Sequence, residues 1–558
     1  MESPTPANSD NVQRQLAIFE VVKRARGKTM AEVRAMLNKA FAERGLSRQP
    51  GTWLESVATE AARGKAYIVD LPAAVAADSI SEAPDPHVQG ILRRRRRLRS
   101  ESSTDGGNRP QAGASSAEAR DAGQGTRTED TYQVIVIGAG FAGVAAAKEL
   151  GRKGVRVLLI DANNYHQFQP LLYQVATSQI GVSAVTRPIR SVFRRLGTVR
   201  VMTTEVAAVD VVQHAVTTVD GDTVRGQILV IAVGAVPNFF NTPGAEDNAL
   251  PLYSITDATT LGTRLTRLLD QADREPGVPV DVVVVGGGPT GVETAGAMAE
   301  NIKFVVTKYF SPELAARCRV HLVDMVPSVL NMFSSKSQDY TRQRLTKIGV
   351  QLHMGVGVTD VRPDGVTLAD GTDIPSRLVV WAGGLKAGSL IAGSGLTQGR
   401  GGRIDVLPDL TAPDAEGVYV IGDAANITDA TGAKLPQLGS VAQQAGKWAA
   451  RNIFADLNGG TRQPFEYFDK GYMAMIGRGA AVAELGRKRL QLQGPLAFIS
   501  WLLVHLALLS GTQQKVRALF SWLNGYVLHS PAQVVVGGTE RPQQPRDPSA
   551  SPETENKP

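Results

Sequence analysis

The residues best suited to chemistry fall into two matched sets. The first reads Val134-Ile-Val-Ile-Gly138-Ala-Gly140-Phe141-Ala142-Gly143, then an Ala-rich stretch to Leu150, a second β-branched run Val155–Ile160, and Asp161. Strand, Gly-x-Gly-x-x-Gly, helix, strand and acid stand in the order that a dinucleotide fold requires. Gly138 permits the tight turn, Gly140 lets backbone approach a pyrophosphate, and Gly143 lets helix pack on strand. The helix then turns its partial positive charge toward the phosphates. Asp161, 23 residues after Gly138, is placed to accept both ribose hydroxyls. The second set reads Val282-Val-Val-Val-Gly286-Gly-Gly288-Pro289-Thr290-Gly291-Val-Glu293, with a later strand Val320–Val323 ending at Asp324. The 38 residues from Gly286 to Asp324 are too many for one crossover helix, so residues 301–317 are expected to form an extended or second helical piece. A carboxylate at 324 repels a 2′-phosphate and selects NADH over NADPH.

Two dinucleotide sites on one chain imply an electron relay. With FAD held permanently and a nicotinamide visiting, the chemistry is hydride transfer to a flavin. The surrounding texture supports this. From Tyr132 onward, short β-branched runs alternate with Ala-rich helical stretches and Gly-rich turns. The expected fold class is α/β, with two Rossmann-like dinucleotide-binding domains, a small N-terminal helical module and C-terminal amphipathic helices. There is one cysteine, Cys318, which excludes intramolecular disulfides, thiol-ligated iron–sulfur clusters and any redox-active cysteine pair. Cys318 itself reads as a packing residue. The seven histidines show no ligand spacing, so no metal is expected.

The remaining landmarks resemble the two-dinucleotide-domain flavoprotein reductases. Gly422-Asp423 in YVIGDAAN matches the turn whose Asp binds the flavin's ribityl chain in that superfamily, ahead of a helix aimed at the isoalloxazine. Leu229–Gly234 (with Ala232) and Val379–Gly384 (with Gly383) resemble the turns leading out of and back into an FAD domain that carries an inserted NAD domain. Within the superfamily the chain is most similar to the type II NADH:quinone oxidoreductases, single-subunit respiratory dehydrogenases that do not pump protons. The likeness spans about residues 131–535. It rests on Asn163–Thr177, Gly286–Glu293, Trp381–Lys386 and Gly471–Ala483. It implies FAD contacts at Gly138–Gly143, Asp161, Ala162, Gln174, Ala232, Gly234, Gly383, Gly422, Asp423 and Leu438. It implies NADH contacts at Gly286, Gly288, Pro289, Thr290, Gly291 and Asp324, with Glu293 bridging NADH and flavin. A helix-dipole carboxylate is the competing role for Glu293. His166, in the loop near the flavin, reads as a structural hydrogen-bonding residue. At the quinone side, Leu435-Pro436 aligns with the family's motif so that Gln444 matches a family Gln, Ser440 replaces the first Gln and Ala445 the last. Gln444 and Ser440 are therefore the candidate contacts to the acceptor, menaquinone or ubiquinone. A serine hydroxyl can still donate to a quinone carbonyl.

The rest of the chain is organised around this centre. Residues 1–73 form a helical module. In it Leu16, Phe19, Val22, Val33, Leu37 and Phe41 recur at helical steps, and Thr29-Met-Ala-Glu32 has the form of a capping box. Its partner, expected to bind residues 11–66, is unidentified. Residues 74–130 have the composition of a disordered basic linker. They hold the run Arg93–Arg97 with Arg99, so much of the net charge of +7 is a patch, the global charge is poor evidence for nucleic-acid binding, and no nucleic-acid partner is expected. That run is a solvated charge block, a contact to an anionic membrane or, as the third reading, a contact to nucleic acid. The FAD-binding domain is expected at 131–249 and 385–465, the NAD-binding domain at 250–384. Residues 466–537 form a membrane-association region, and 538–558 a disordered tail. The run at 495–509 is about 15 residues, short of the roughly 20 needed to span a bilayer. With the segment at 516–527 it makes two amphipathic helices suited to one leaflet through Trp501 and Trp522, with His505 interfacial; a core or dimer-forming helix pair is the other reading. No secretory signal is visible, so the expected location is peripheral, on the cytoplasmic face of the cell membrane. A homodimer is one assembly open to it. The other functional readings are a soluble NADH-dependent reductase serving a redox protein and a flavin redox sensor.

Overall fold

The structure, a computed structural model, describes residues 9–25, 28–46, 132–413, 415–486 and 488–527, with isolated positions 54, 57, 58, 61 and 77. The arginine run, linker residues 78–130 and the tail at 538–558 lie outside the described residues.

The N-terminal module contains helices Ser9–Ala25 and Met30–Ala42. The expected capping box is formed: the Thr29 hydroxyl accepts from Glu32 N–H, and the Glu32 carboxylate accepts from Thr29 N–H at 2.7 Å. Phe19, Val22, Val33, Leu37 and Phe41 share one apolar cluster with Leu54, Val57 and Ala77. Ala77 is thus packed into the module beyond the expected boundary at residue 73.

The larger unit is built on two parallel sheets. The first carries strands Val199–Thr203, Val157–Asp161, Tyr132–Ile137, Thr223–Ile231 and Val418–Val420 in that spatial order. Val134 pairs with Val157, and Val420 with Ile231. The second runs Ala249–Pro251, Leu378–Trp381, Asp281–Val285, Arg319–Asp324 and Val350–Met354. Helices cover such sheets on both faces, so the central strands are continuous apolar runs with no alternation; Val134–Val136 and Val283–Val284 are completely buried. All five strands of the second sheet lie between residues 249 and 381, before the chain returns to the first sheet at Val418. The two crossings meet in a short antiparallel ribbon, Val236–Pro237 with Leu385–Lys386. Between Pro289–Asn301 and the strand at 319, the chain stays helical through a π-turn at Ile302–Val306 and a further helix Pro312–Arg317. That is the second helical piece that the long gap demanded.

Beyond residue 470 a three-stranded antiparallel sheet, Gly471–Gly477, Ala480–Leu485 and Leu490–Gly494, feeds helices Pro495–Leu508 and Thr512–Trp522. No helix among the described residues is long and apolar enough to cross a membrane.

Candidate active site

The two glycine turns are built alike. Gly138 has φ +97° and Gly286 φ +113°, backbone conformations that a side chain resists. A Cβ at Gly138 would lie 2.4 Å from Ala232 O, and at Gly286 2.5 Å from Ala382 O. Gly143 and Gly291 touch the turn itself, since a Cβ there would meet Gly138 O or Gly286 O below 2 Å. Gly140 and Gly288 differ from these: nothing lies within 4 Å of a Cβ built on either, and their backbones are extended. Neither strain nor neighbouring protein demands glycine at these two positions. The open space is what a pyrophosphate needs, so the turns fit bound dinucleotides. Both helices that start here, Phe141–Arg152 and Pro289–Asn301, lack a side-chain cap, which leaves their first N–H groups available to phosphate. Pro289 and Thr290 are exposed at the second helix's start.

The two acids repeat the pattern. Asp161 accepts from Ala139 N–H at 2.6 Å and Asn163 N–H at 2.7 Å. Asp324 accepts from Gly287 N–H at 2.5 Å and Val326 N–H at 3.0 Å. Each carboxylate is held at its strand end beside the glycine turn, with Ala162 exposed next to Asp161. Asp423 follows Gly422 and takes a hydrogen bond from the Tyr253 hydroxyl at 3.1 Å. Burial raises its pKa against the opposing pull of Tyr253 and Arg403. The helix Gly439–Leu457 begins immediately after Leu438, also without a side-chain cap. It crosses the first glycine helix so closely that a Cβ on Gly446 would lie 2.2 Å from Ala142 O. A Cβ on Gly439 would touch the Phe141 ring at 3.3 Å, and one on Gly234 the Tyr253 hydroxyl at 3.3 Å. Gly383 sits against Trp381. Of the expected FAD residues, Ala142, Gly234, Gly422 and Asp423 are therefore brought together from the two chain halves.

Glu293 sits one turn into the second glycine helix and is buried. Its Oε1 accepts from Met475 N–H at 3.0 Å and from the Trp501 indole N–H at 3.2 Å. Burial outweighs those two bonds and pushes the carboxyl up to about 8. Trp501 stacks on His505 with ring centroids 3.7 Å apart, and the His505 imidazole is driven down to about 4 by burial. Gln174 belongs to the same buried layer. Its Oε1 accepts from Trp522 Nε1–H at 2.8 Å, and its amide donates to the hydroxyls of Tyr173 and Tyr526 at 3.0 and 3.3 Å. Gln174 is completely buried and spent on this network; the structure does not place it at the glycine turns. The expectation that Trp501 and Trp522 anchor in lipid and that His505 is interfacial is corrected: all three point inward, 0, 4 and 7% exposed. Their polar ring atoms are used by Glu293, Gln174 and the Trp501 carbonyl.

On the helix that starts at Gly439, the Ser440 hydroxyl lies 2.9 Å from the Tyr467 hydroxyl. The Gln444 side chain pairs with both backbone groups of Phe468, donating to its carbonyl and accepting its N–H at 3.0 Å each. His166 is buried with Nδ1 2.8 Å from Ala139 O, the structural role expected of it. Cys318 is half-buried, with its thiol pushed up to about 11 by burial. Tyr173, Met475, Trp501, Tyr526 and Tyr467 escaped sequence reasoning as site residues. Trp501 and His505 are four apart, so one helix face was the available signal.

The family profile described as pyridine nucleotide-disulphide oxidoreductase matches residues 132–446. The chain is 36% identical over 410 residues to the type II NADH:quinone oxidoreductase Ndh of Mycobacterium tuberculosis, covering 70% of this chain and 87% of the relative. It is 27% identical over 440 residues to the mitochondrial internal alternative NAD(P)H-ubiquinone oxidoreductase A1 of Arabidopsis thaliana, covering 72% of this chain and 85% of that protein. Among solved structures, NDH2 from Plasmodium falciparum in complex with NADH superposes with a TM-score of 0.66 at 19% identity, over 72% of this chain and 100% of the other. The sulfide:quinone oxidoreductase of Aquifex aeolicus gives 0.57 at 16% identity, over 71% and 95%. These two structures share the fold.

Proposed function

This chain belongs to the type II NADH:quinone oxidoreductases, and from that premise we propose how its residues divide the work of moving electrons from NADH through FAD to a quinone. The activity is NADH:quinone oxidoreduction. Bound FAD supplies the redox carrier between the two substrates. The observation that carries the residue assignment is Glu293, a carboxyl buried where the second glycine helix meets the C-terminal sheet and helices.

Quinone reduction consumes two protons along with two electrons, so the acceptor side needs a proton held ready. Glu293 supplies it. With both N–H donors on Oε1, the carboxyl proton resides on Oε2. A pKa of about 8 keeps it there at neutral pH and lets it leave when a stronger base forms nearby. Asp324 and the Gly286–Gly291 turn hold the NADH ribose and pyrophosphate. Asp161, the Gly138–Gly143 turn and Asp423 hold FAD, with Leu438 and Gly439 presenting a helix N-terminus to the flavin end. Ser440 and Tyr467 share one hydrogen bond between two O–H groups, which leaves one hydroxyl proton to donate to a quinone carbonyl. Gln444 holds the backbone that carries Tyr467. The single Cys318, half-buried and hard to ionise, supports a reaction without thiol chemistry.

Membrane attachment is the second part of the proposal. Helix Pro495–Leu508 is apolar all round, a pattern that calls for burial on every side. Protein covers the Trp501 and His505 face. The opposite face leaves Leu496, Ile499, Leu503 and Leu508 at 44–68% exposure, and Val516, Leu519 and Phe520 continue it at 47–60%. That stripe fits insertion into one leaflet, and the face proposed is the cytoplasmic one. Single-turnover mixing tests the catalytic assignment. Glu293→Gln should keep NADH-driven flavin bleaching and slow quinone-driven recovery by about tenfold or more. Recovery at the wild-type rate would remove Glu293 from proton supply.

A further inference from the structure

A cavity of about 420 Å³ opens between the first glycine helix, the helix at 439–457 and the turn joining the two C-terminal helices. Its walls carry Lys148, Arg152, Arg187, Lys447 and Lys515 against one acid, Glu149, which is paired with Arg152 at 3.6 Å. Lys148 and Lys447 have no acidic partner among the described residues. Burial and the charges of Arg152, Arg187 and Lys447 together push the Lys148 ammonium down from its ordinary pKa. Like charges gathered around a half-enclosed space are costly unless an anion joins them. Two of the cations are fastened beside the turn: Arg187 donates to Ser510 Oγ within it at 2.9 Å, and Lys515 on the second C-terminal helix donates to Ala507 O on the first at 2.9 Å.

Lys515 also lines a second groove of about 280 Å³, whose other walls are Leu503, Leu506, Ala507, Val516 and Leu519. A basic cavity and an apolar groove therefore meet at one side chain, on the edge of the exposed apolar stripe. An amphiphile with a phosphate headgroup and acyl chains matches both halves, whereas a free anion matches only the first. We propose that this joined cavity and groove bind an anionic phospholipid, the headgroup phosphate among Lys148, Arg187 and Lys447 and an acyl chain between the two C-terminal helices. The inference rests on the membrane reading above and adds a site with headgroup selectivity to it.

The test uses the full-length, FAD-loaded enzyme and flotation with vesicles of phosphatidylcholine alone or mixed with phosphatidylglycerol. Wild type should bind both and prefer the mixed vesicles. Removing two cavity charges in Lys148→Gln/Lys447→Gln should cut the affinity for mixed vesicles about thirty-fold, at about 1 kcal/mol per basic residue. Binding to phosphatidylcholine and NADH-driven bleaching should be unchanged. Lys336→Gln/Lys347→Gln, which removes equal charge elsewhere, should keep the preference. Leu503→Asp/Leu519→Asp should lose both vesicle types. No preference in wild type, or equal losses in the two lysine pairs, overturns the site while leaving the membrane reading standing. Failure of wild type to bind either vesicle defeats the membrane reading and the site with it. In calorimetry, a soluble short-chain phosphatidylglycerol should saturate the wild type and not the Lys148/Lys447 variant. Inorganic phosphate binding equally well would identify a free-phosphate site and refute the lipid.

Discussion

Glu293→Gln probes the buried carboxyl without disturbing its surroundings. The amide oxygen of glutamine can accept both the Met475 N–H and the Trp501 indole N–H that Oε1 now accepts, but it carries no titratable proton. In wild type the group rises from its ordinary 4.5 to about 8 on folding. The folded state therefore holds the proton more tightly than the unfolded chain. Stability from this group is complete below 4.5, drains away as pH rises, and is lost once pH passes about 8. The interval corresponds to roughly 5 kcal/mol. The assay is the denaturant midpoint of the FAD-loaded protein from about pH 5 to about pH 9, wild type against variant. The difference between them isolates this one group. Glu293→Gln should match wild type at the acid end and become progressively more stable than it toward the alkaline end. A difference that stays constant across the range would refute a neutral, buried Glu293.

Three further substitutions separate the parts of the site. Gly291→Ala places a Cβ 1.7 Å from Gly286 O; NADH-driven bleaching should fall about tenfold or more while FAD content stays at wild-type level, because the first turn is untouched. Gln444→Ala removes both amide bonds to Phe468; stability should drop by about 1 kcal/mol, and stopped-flow mixing should show slower quinone-driven recovery with bleaching intact. Asp324→Ser takes away the carboxylate beside the ribose; steady-state kinetics should show NADPH use rising about tenfold relative to NADH.

The glycine turns, the paired acids and the helical continuation past residue 301 were legible because each is local: a turn, a helix start and a strand end lie within a few dozen residues. The same holds for the Thr29 cap. What escaped was set by partners distant in the chain. The indole of Trp501 meets a carboxylate 208 residues away, and that of Trp522 an amide 348 residues away. A helix that is apolar on every side gives no sign of which face turns inward, so the sequence leaves lipid and core both open for the two tryptophans and His505, and the structure turns all three inward. Gln174, expected at the flavin, is used by the same distant partners. Ser440 was visible as a departure from the family's glutamine, but its pairing with Tyr467 was not, because Tyr467 belongs to no motif.

The relay itself is tested most directly by anaerobic stopped-flow absorbance of the purified flavoprotein. NADH is added first, then a soluble menaquinone or ubiquinone analogue. Rapid bleaching of the oxidised flavin band, followed by rapid recovery that depends on the quinone, is the predicted result. Bleaching by NADH that no quinone analogue reverses would contradict the account.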